Sequence, residues 1–506
     1  MSCAPLQSES GSQARRLRCG RLPPRNADGL EVDARKAVAS EAEVRMRIVA
    51  YLALDVAQWA EQNFGGCDLN DSRRTRRAVK VAQQMAEHPD GSGPAQTEDW
   101  SDLKAMYRLF DAEDVTFTAL ATPHWQRTRS LARGTVLLIG DTTETDFGYH
   151  RSVTGLGPTG DGYGLGFFIH SSMMIDADSG EIIGLAGQEL FYRQPAPKGE
   201  NSYQALQRPR ESEVWGRVID DVGPPVEGSR SIHVFDRGAD NLDVFCHCRE
   251  QRADWVIRAA QLHRKVEDDH GTKRSLRKTL EQQPLSGAYT LSVRATKKHP
   301  ARTARLHVRF TRVTLRCPKR RTKYQRRIDF TELTQGVVEV REIRPPQGVK
   351  PLHWVLWTSL PMASFDEAWQ VIEYYEKRWL IEEFHKAIQT GCRLEARQYL
   401  EAHRLEAVAG ITCVLALRLL QLKTIATTHP ELPAARVVPK MWLKMLSALR
   451  KRKRITVRDF FRHLAGLGGF LLRTGDGEPG WITLWRGLDK LILAVRGFVA
   501  MQLKCG

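Results

Sequence analysis

Tyr375, Arg378 and Glu382 recur at spacings of three and four in Tyr375-Glu376-Lys377-Arg378-Trp379-Leu380-Ile381-Glu382-Glu383-Phe384-His385-Lys386. In a helix, residues so spaced fall on one face. That face would carry a hydroxyl, a forked guanidinium matched to phosphate oxygens and a carboxylate suited to a hard cation. Elsewhere two strand-like runs end in aspartate, Leu137-Leu138-Ile139-Gly140-Asp141 and Ile232-His233-Val234-Phe235-Asp236. Three carboxylates from distant stretches, Asp141, Asp236 and Glu382, are therefore expected to converge. Such a set suits two Mg²⁺ ions, or Mn²⁺ in their place, held roughly 3.5–4 Å apart. One in-line geometry then serves hydrolysis of a phosphodiester and attack by the freed 3′-hydroxyl. Taken singly, a strand-terminal aspartate is usually a turn residue, and Glu or Arg on a helix usually marks a solvated face. Glu383, about 100° around the helix from Glu382, is expected to be solvated or paired, and His385 to stand behind the ligand at i+3. Trp354 reads either as core or as a platform for an unstacked base.

The elements that must position these groups are embedded in a basic chain. Its 506 residues carry 76 Lys and Arg against 59 Asp and Glu, a formal charge of +17, and this favours a polyanionic partner through counterion release. Nucleic acid fits better than membrane. No apolar run approaches the roughly 20 residues of a spanning helix, and Met1 to Asp33 lacks the apolar centre of a secretory signal, so a cytoplasmic protein is expected. The nine cysteines form neither a disulfide framework nor paired zinc spacing. Cys246-His247-Cys248 lacks a second ligand pair, so helix packing is its expected role.

Residues 1–42, rich in Ser, Gly and Pro with five arginines between Arg15 and Arg25, read as a disordered basic tail. Helical character begins near Val44, with Met46 just inside, so an upstream mis-start is an alternative account of the tail. Residues 43–120 read as a small helical domain, including a helix N-capped by Asp71 or Ser72. Its Arg73, Arg74 and Arg77 are read as DNA-backbone contacts, against the alternative of a solvated face. Residues 121–396 read as α/β, with β-rich segments at 135–140, 167–176, 181–186 and 231–235. The glycines from 155 to 166 suggest a mobile loop with no nucleotide role. A basic β insertion spans about 265–350, where Leu306, Val308 and Phe310 should face inward and leave one positive sheet face. Residues 397–506 read as mostly helical, with apolar stretches at 405–423 and 481–499.

Together, Tyr375-x2-Arg378-x3-Glu382 with Ile381-Glu382-Glu383-Phe384-His385-Lys386 resembles the signature of the insertion-sequence-four family of bacterial DDE transposases. Asp141-Thr142-Thr143 and Asp236-Arg237-x-Ala239-Asp240 are similar to its first and second catalytic segments. Asp71-Ser72-Arg73-Arg74-Thr75-x-Arg77 is similar to its DNA-binding helix, and Leu464-Ala465-Gly466-Leu467-Gly468-Gly469-Phe470 with Trp481 and Trp485 to its dimerisation region. The resemblance covers about 52–500. It implies an α/β, ribonuclease-H-like catalytic core with a β-rich insertion, between an N-terminal helical DNA-binding domain and a C-terminal helical dimerisation domain. It further implies Mg²⁺-dependent cut-and-paste transposition, double-stranded transposon-end and target DNA as partners, a homodimer on paired ends, and Trp354 as the base-stacking tryptophan. One departure stands out. The family pattern closes with lysine seven residues after the glutamate, where this chain has Gln389; Lys386, one turn earlier, is the candidate substitute. The alternative reading is a catalytically inactive, transposase-derived DNA-binding regulator, and a stand-alone nuclease is a further rival.

Overall fold

A computed structural model describes residues 50–148, 152–194, 197–293, 300–319, 321–328, 331–450, 455–473 and 476–504. The tail at 1–42, the start near Val44 and most of the basic cluster at 450–454 lie outside them. The described residues between Lys36 and Val136, between Thr142 and Arg193, and from Leu380 onward form one compact unit. Leu137–Asp141 and the described part of Gln194–Trp379 form the other.

In the first unit the Val56–Phe64 helix is opened by a capping box at Asp55, and the Ser72–Glu87 helix by Asp71, whose side chain accepts from Arg73 N. The second helix buries Ala78, Val81, Ala82 and Met85, an i, i+3, i+4, i+7 stripe. Strand β1 runs over Gly134–Asp146, so Asp141 lies inside a strand rather than at its end. The apolar run stops at Ile139, but Thr143 and Thr145 are buried in alternation, and β-branched threonines carry the strand onward. The glycine-rich stretch is a hairpin with its turn at 160–163 rather than an open loop. It forms β2 (Gly157–Thr159) paired antiparallel with β3 (Gly164–Asp176), which in turn pairs with β4 (Ile182–Phe191). The glycines allow close approach, since a Cβ on Gly166 would stand 1.8 Å from the Thr145 carbonyl oxygen.

The Ala402–Thr428 helix overturns the expectation that no run is long enough to span a membrane. Its length and composition suffice, and 94% of its most apolar window is buried within the protein. Arg418 and Gln421 interrupt the run in sequence, yet both are satisfied inside: Arg418 donates to Leu54 O at 2.6 Å, and Gln421 to Ile182 O and Ile183 O. Burial pushes the Arg418 guanidinium down to about 10, and the group lies over the Trp59 ring. Near the C-terminus the Val457–Leu467 and Trp481–Lys504 helices meet at glycines. A Cβ on Gly487 would stand 1.9 Å from Leu464 O, and one on Gly468 1.9 Å from Thr483 O.

On the same final helix Asp489 is half-buried and hydrogen-bonds Asp90; burial, then the Asp90 charge, raises its carboxyl from 3.8 to about 6. The folded state therefore holds this proton more tightly than the unfolded chain. As pH rises from about 4 to about 6 its contribution to stability declines, and the penalty persists above that window. Asp489→Asn should raise the melting temperature at pH 8 and change it least near pH 4, which thermal unfolding at the two pH values would check.

In the second unit the Leu137–Asp141 part of β1 neighbours β5 (Ser229–Phe235), and the order continues through β6 (Asp254–Arg258), β12, β11, β10, β7 and β8. Strands β5 and β6 are parallel, so Asp236 and Arg258 emerge at the same carboxyl end. The insertion consists of β7 (Lys265–Glu267), β8 (Lys273–Ser275), β9 (Gly287–Val293), β10 (Arg302–Arg316) and β11 (Glu332–Ile343), and returns through β12 (His353–Thr358) to β6.

Leu306 and Val308 face inward as expected, but Phe310 is half-buried and the inward set shifts to Val313 and Leu315. The shift coincides with a change of neighbour, from β9, whose first residue Gly287 stands opposite Val308, to β7 at Thr314. Nor is the opposite face uniformly positive. On it Arg309 pairs with Glu339 and Arg316 with Glu267, whereas Arg302 is in step with the inward Leu306 and pairs with Glu342, which stands opposite Leu306; among the described residues Arg305 and Arg312 are exposed without an ion pair.

Candidate active site and nucleic-acid interface

Asp141 and Asp236 sit on adjacent strands of the second unit, each following a buried apolar run that fixes its backbone. Asp236 caps the short Arg237–Ala239 turn by accepting from Gly238 N at 2.7 Å. Against them lies the end of the Phe365–Glu376 helix, which a capping box at Ser364 and Glu367 starts. Arg378 Nη1 meets Asp141 Oδ2 at 3.2 Å, with both side chains at most about one-fifth exposed (15% and 22%). Tyr375 is buried, at 8% exposure. Burial raises its hydroxyl pKa, Arg258 and Arg378 pull it down, and Asp236 pushes it up. Burial lowers the Arg258 guanidinium, which hydrogen-bonds Tyr375 and also donates to His353 O at 3.1 Å. Asp141, Asp236, Arg258, Tyr375 and Arg378 thus form one cluster of two carboxylates, two guanidiniums and a phenol.

Arg258 was missed in the sequence. Its only signal is an arginine directly after the apolar strand Trp255-Val256-Ile257, and its relevance depends on β6 pairing in parallel with β5.

The helix carrying the signature is not regular. It ends at Glu376, tightens into a 3₁₀ turn at Lys377–Trp379, resumes at Leu380–Lys386 and widens to a π turn at Ala387–Gly391. Three residues per 3₁₀ turn keep Tyr375 and Arg378 on one face. Glu382 is half-buried on Leu380–Lys386, in the first unit. Its neighbour Glu383 is buried and paired, with Lys386 at 3.1 Å, with Lys423, and with Trp481 Nε1 at 3.0 Å. Lys386 therefore already has an anionic partner, although its side chain is half-exposed. Gln389 Nε2 donates to Thr143 Oγ1 and to Glu144 O, each at 3.1 Å. In place of a charge, Gln389 supplies a tie between the π turn and the strand just past Asp141. Thr142 is held in the same stretch by His170 Nδ1 at 2.8 Å. His385 is half-buried beside Phe384.

Trp354 is half-buried on β12. Residues directly opposite in an antiparallel ladder share a face, so Trp354 lies on the face of Val340, and Leu356 on that face pairs with Arg258. The tryptophan and the guanidinium near Tyr375 are thus on one side of the sheet.

On the Ser72–Glu87 helix, Arg74 pairs with Asp114 at 2.6 Å, and Arg77 and Lys80 with the buried Asp102 at 3.0 and 2.7 Å. Hydrogen bonds from Lys80, then Arg77, hold the Asp102 carboxyl below its usual range despite burial. Arg73 is 82% exposed beside its cap residue Asp71. Arg76, one turn on, is exposed and makes no ion pair among the described residues. The most exposed basic groups are therefore Arg73, which pairs with Asp71 at 3.4 Å, and Arg76, while Arg74 and Arg77 are half-buried and paired with Asp114 and Asp102.

Asp111, Glu401 and His403 also gather in the first unit, but Arg404 binds Asp111 at 2.6 Å and Glu401 at 3.3 Å, so an arginine already balances these carboxylates.

Three family models match in chain order: transposase DNA-binding over 56–115, transposase DDE domain over 208–418, and transposase Tn5 dimerisation domain over 414–502. Arg73 and Arg76 fall in the first match; Asp236, Tyr375, Arg378 and Glu382 fall in the second, and Asp141 precedes it. The class so defined is a DDE transposase, an enzyme that binds DNA, cleaves it and transfers strands. Within that class the chain belongs to the Tn5-like, IS4-family transposases. Its C-terminal helices, 414–502, are the dimerisation domain, which makes a second copy its partner.

Proposed function

We propose that this transposase works by cut-and-paste, with Asp141, Asp236 and Glu382 holding two Mg²⁺ ions. The observation that carries the reading is the half-buried cluster in which Arg378 meets Asp141 while Tyr375 interacts with both Arg258 and Asp236. The donor set fits the metal, since carboxylate oxygens are the ligands a hard dication takes. When bound, the ions supply a more acidic nucleophile and charge stabilisation at the leaving oxygen.

The protein's own residues do the positioning. Arg378 and Arg258 present forked donors to the non-bridging oxygens of the scissile phosphate, and Tyr375 fixes the Arg258 fork. Water attacks phosphorus and the 3′-oxygen leaves; the resulting 3′-hydroxyl then attacks a target phosphodiester and expels its 3′-oxygen. Trp354 stacks an unpaired base next to the cut. Two copies, each bound to one transposon end, form the working dimer, and the setting is the bacterial cytoplasm at the nucleoid.

Incubating the protein with duplex carrying the flanking end sequence of its element, in Mg²⁺ and again after chelation, tests this. Cleavage in Mg²⁺ that chelation removes supports the proposal; metal-independent cleavage, or none, refutes it.

End recognition is assigned to Arg73 and Arg76. Replacing both by Gln should weaken end binding and lower the slope of log affinity against log salt by about 2, at roughly 0.9 per lost phosphate contact. Arg77→Gln should act instead on the melting temperature of the protein, because it removes one of the two cations paired with the buried Asp102, and Arg74→Gln should lower it less, since Asp114 is half-exposed.

A further inference from the structure

We infer that the cavity behind the Asp236 turn is a DNA phosphate subsite, with Arg277 and His263 as its donors; this rests on the transposase reading above and deepens it. The cavity, of about 460 Å³, is lined by Ala260, Leu262, His263, Ser275 and Arg277. It opens two residues beyond the carboxyl end of β6, the sheet end at which Asp236 emerges from the parallel strand β5, and that end is where α/β sheets bind ligands.

The wall is tied to the catalytic strand by a single buried carboxylate. Asp240, four residues after Asp236, accepts from Ala260 N at 2.7 Å and Gln261 N at 3.1 Å, and pairs with Arg264 at 2.7 Å. The opposite wall is joined by backbone bonds from Leu276 N to Arg264 O and from Arg277 N to Leu262 O. Arg264 is thus consumed in building the wall, whereas Arg277 and His263 are exposed and have no ion pair or side-chain hydrogen bond among the described residues. The cavity therefore combines a hydrogen-bonded frame, a hydroxyl at Ser275 and two uncommitted nitrogen donors beside the Asp236 turn. A phosphodiester of the strand leading to the cleaved bond has the charge and the acceptor oxygens to fill it.

The test compares Arg277→Gln, His263→Gln and, as a control of equal charge change, Arg312→Gln, which is exposed on β10 and does not line the cavity. End-duplex binding is measured from low to high salt, with native linkages and with single methylphosphonates placed around the cleavage position. The expected result is a slope lower by about 1 for Arg277→Gln than for Arg312→Gln. One methylphosphonate should weaken the native protein but not Arg277→Gln, and His263→Gln should share that insensitivity in part. Equal slopes for Arg277→Gln and Arg312→Gln, or sensitivity to every methylphosphonate retained in Arg277→Gln, would overturn the subsite alone. A native protein that neither binds nor cleaves the end duplex would overturn the transposase reading and the subsite with it.

Discussion

Glu382→Gln protein is expected to bind end duplex with native affinity and to cleave it at least roughly 10³-fold more slowly, a barrier increase of about 4 kcal/mol. The substitution keeps the size of the side chain on Leu380–Lys386 but removes the charge that a dication needs. Binding should survive, because Arg73 and Arg76 stand on a separate helix and are exposed. Asp141→Asn and Asp236→Asn should behave alike in cleavage. Asp141→Asn has an added consequence, since it leaves the largely buried Arg378 without its 3.2 Å carboxylate partner, so it should also lower the melting temperature. Cleavage assays and fluorescence anisotropy on the same end duplex separate the two effects. Near-native cleavage by Glu382→Gln would remove Glu382 from the site.

The second large effect is on stability. Gly487→Ala sets a Cβ 1.9 Å from Leu464 O, and the opposing atom is backbone, which has no rotamer to yield. Overpacking costs about 1–3 kcal/mol, and this contact belongs at the upper end. The Val457–Leu467 and Trp481–Lys504 helices must then separate, with an expected fall in melting temperature of about 6–12 °C. Because these helices lie in the dimerisation domain, the variant should also associate more weakly in sedimentation velocity. Gly497, whose added Cβ would meet nothing within 4 Å, is the control: Gly497→Ala should be neutral or slightly stabilising through helix propensity.

The sequence made legible what depends on local chemistry. Asp71 as a helix cap, the strands holding Asp141 and Asp236, and the Arg378 and Tyr375 pairing of phosphate chemistry could all be read from residue type and spacing. What could not be read depends on which strands become neighbours. Arg258 matters because β6 lies parallel to β5, and no local pattern announces that pairing. The β2–β3 hairpin was hidden because glycine lacks a side chain to alternate. The charges at Arg74 and Arg77 looked identical to that at Arg73 until Asp114 and Asp102, 40 and 25 residues away in sequence, were seen to take them. Gln389 reads in sequence as a missing positive charge, whereas its two hydrogen bonds to Thr143 and Glu144 show a side chain fitted to its place. A Lys386 held by Glu383 gives no simple replacement for that charge.

The most direct measurement supplies a pre-cleaved end duplex with a free 3′-hydroxyl, a supercoiled plasmid and Mg²⁺ to the native protein and to Glu382→Gln. The native protein should join the end covalently to the plasmid, Glu382→Gln should not, and a dideoxy 3′ end should abolish joining. Plasmid nicking without joining would contradict the transposase reading in favour of a nuclease. Binding of the duplex with neither nicking nor joining would contradict it in favour of a regulator that keeps the fold without the chemistry.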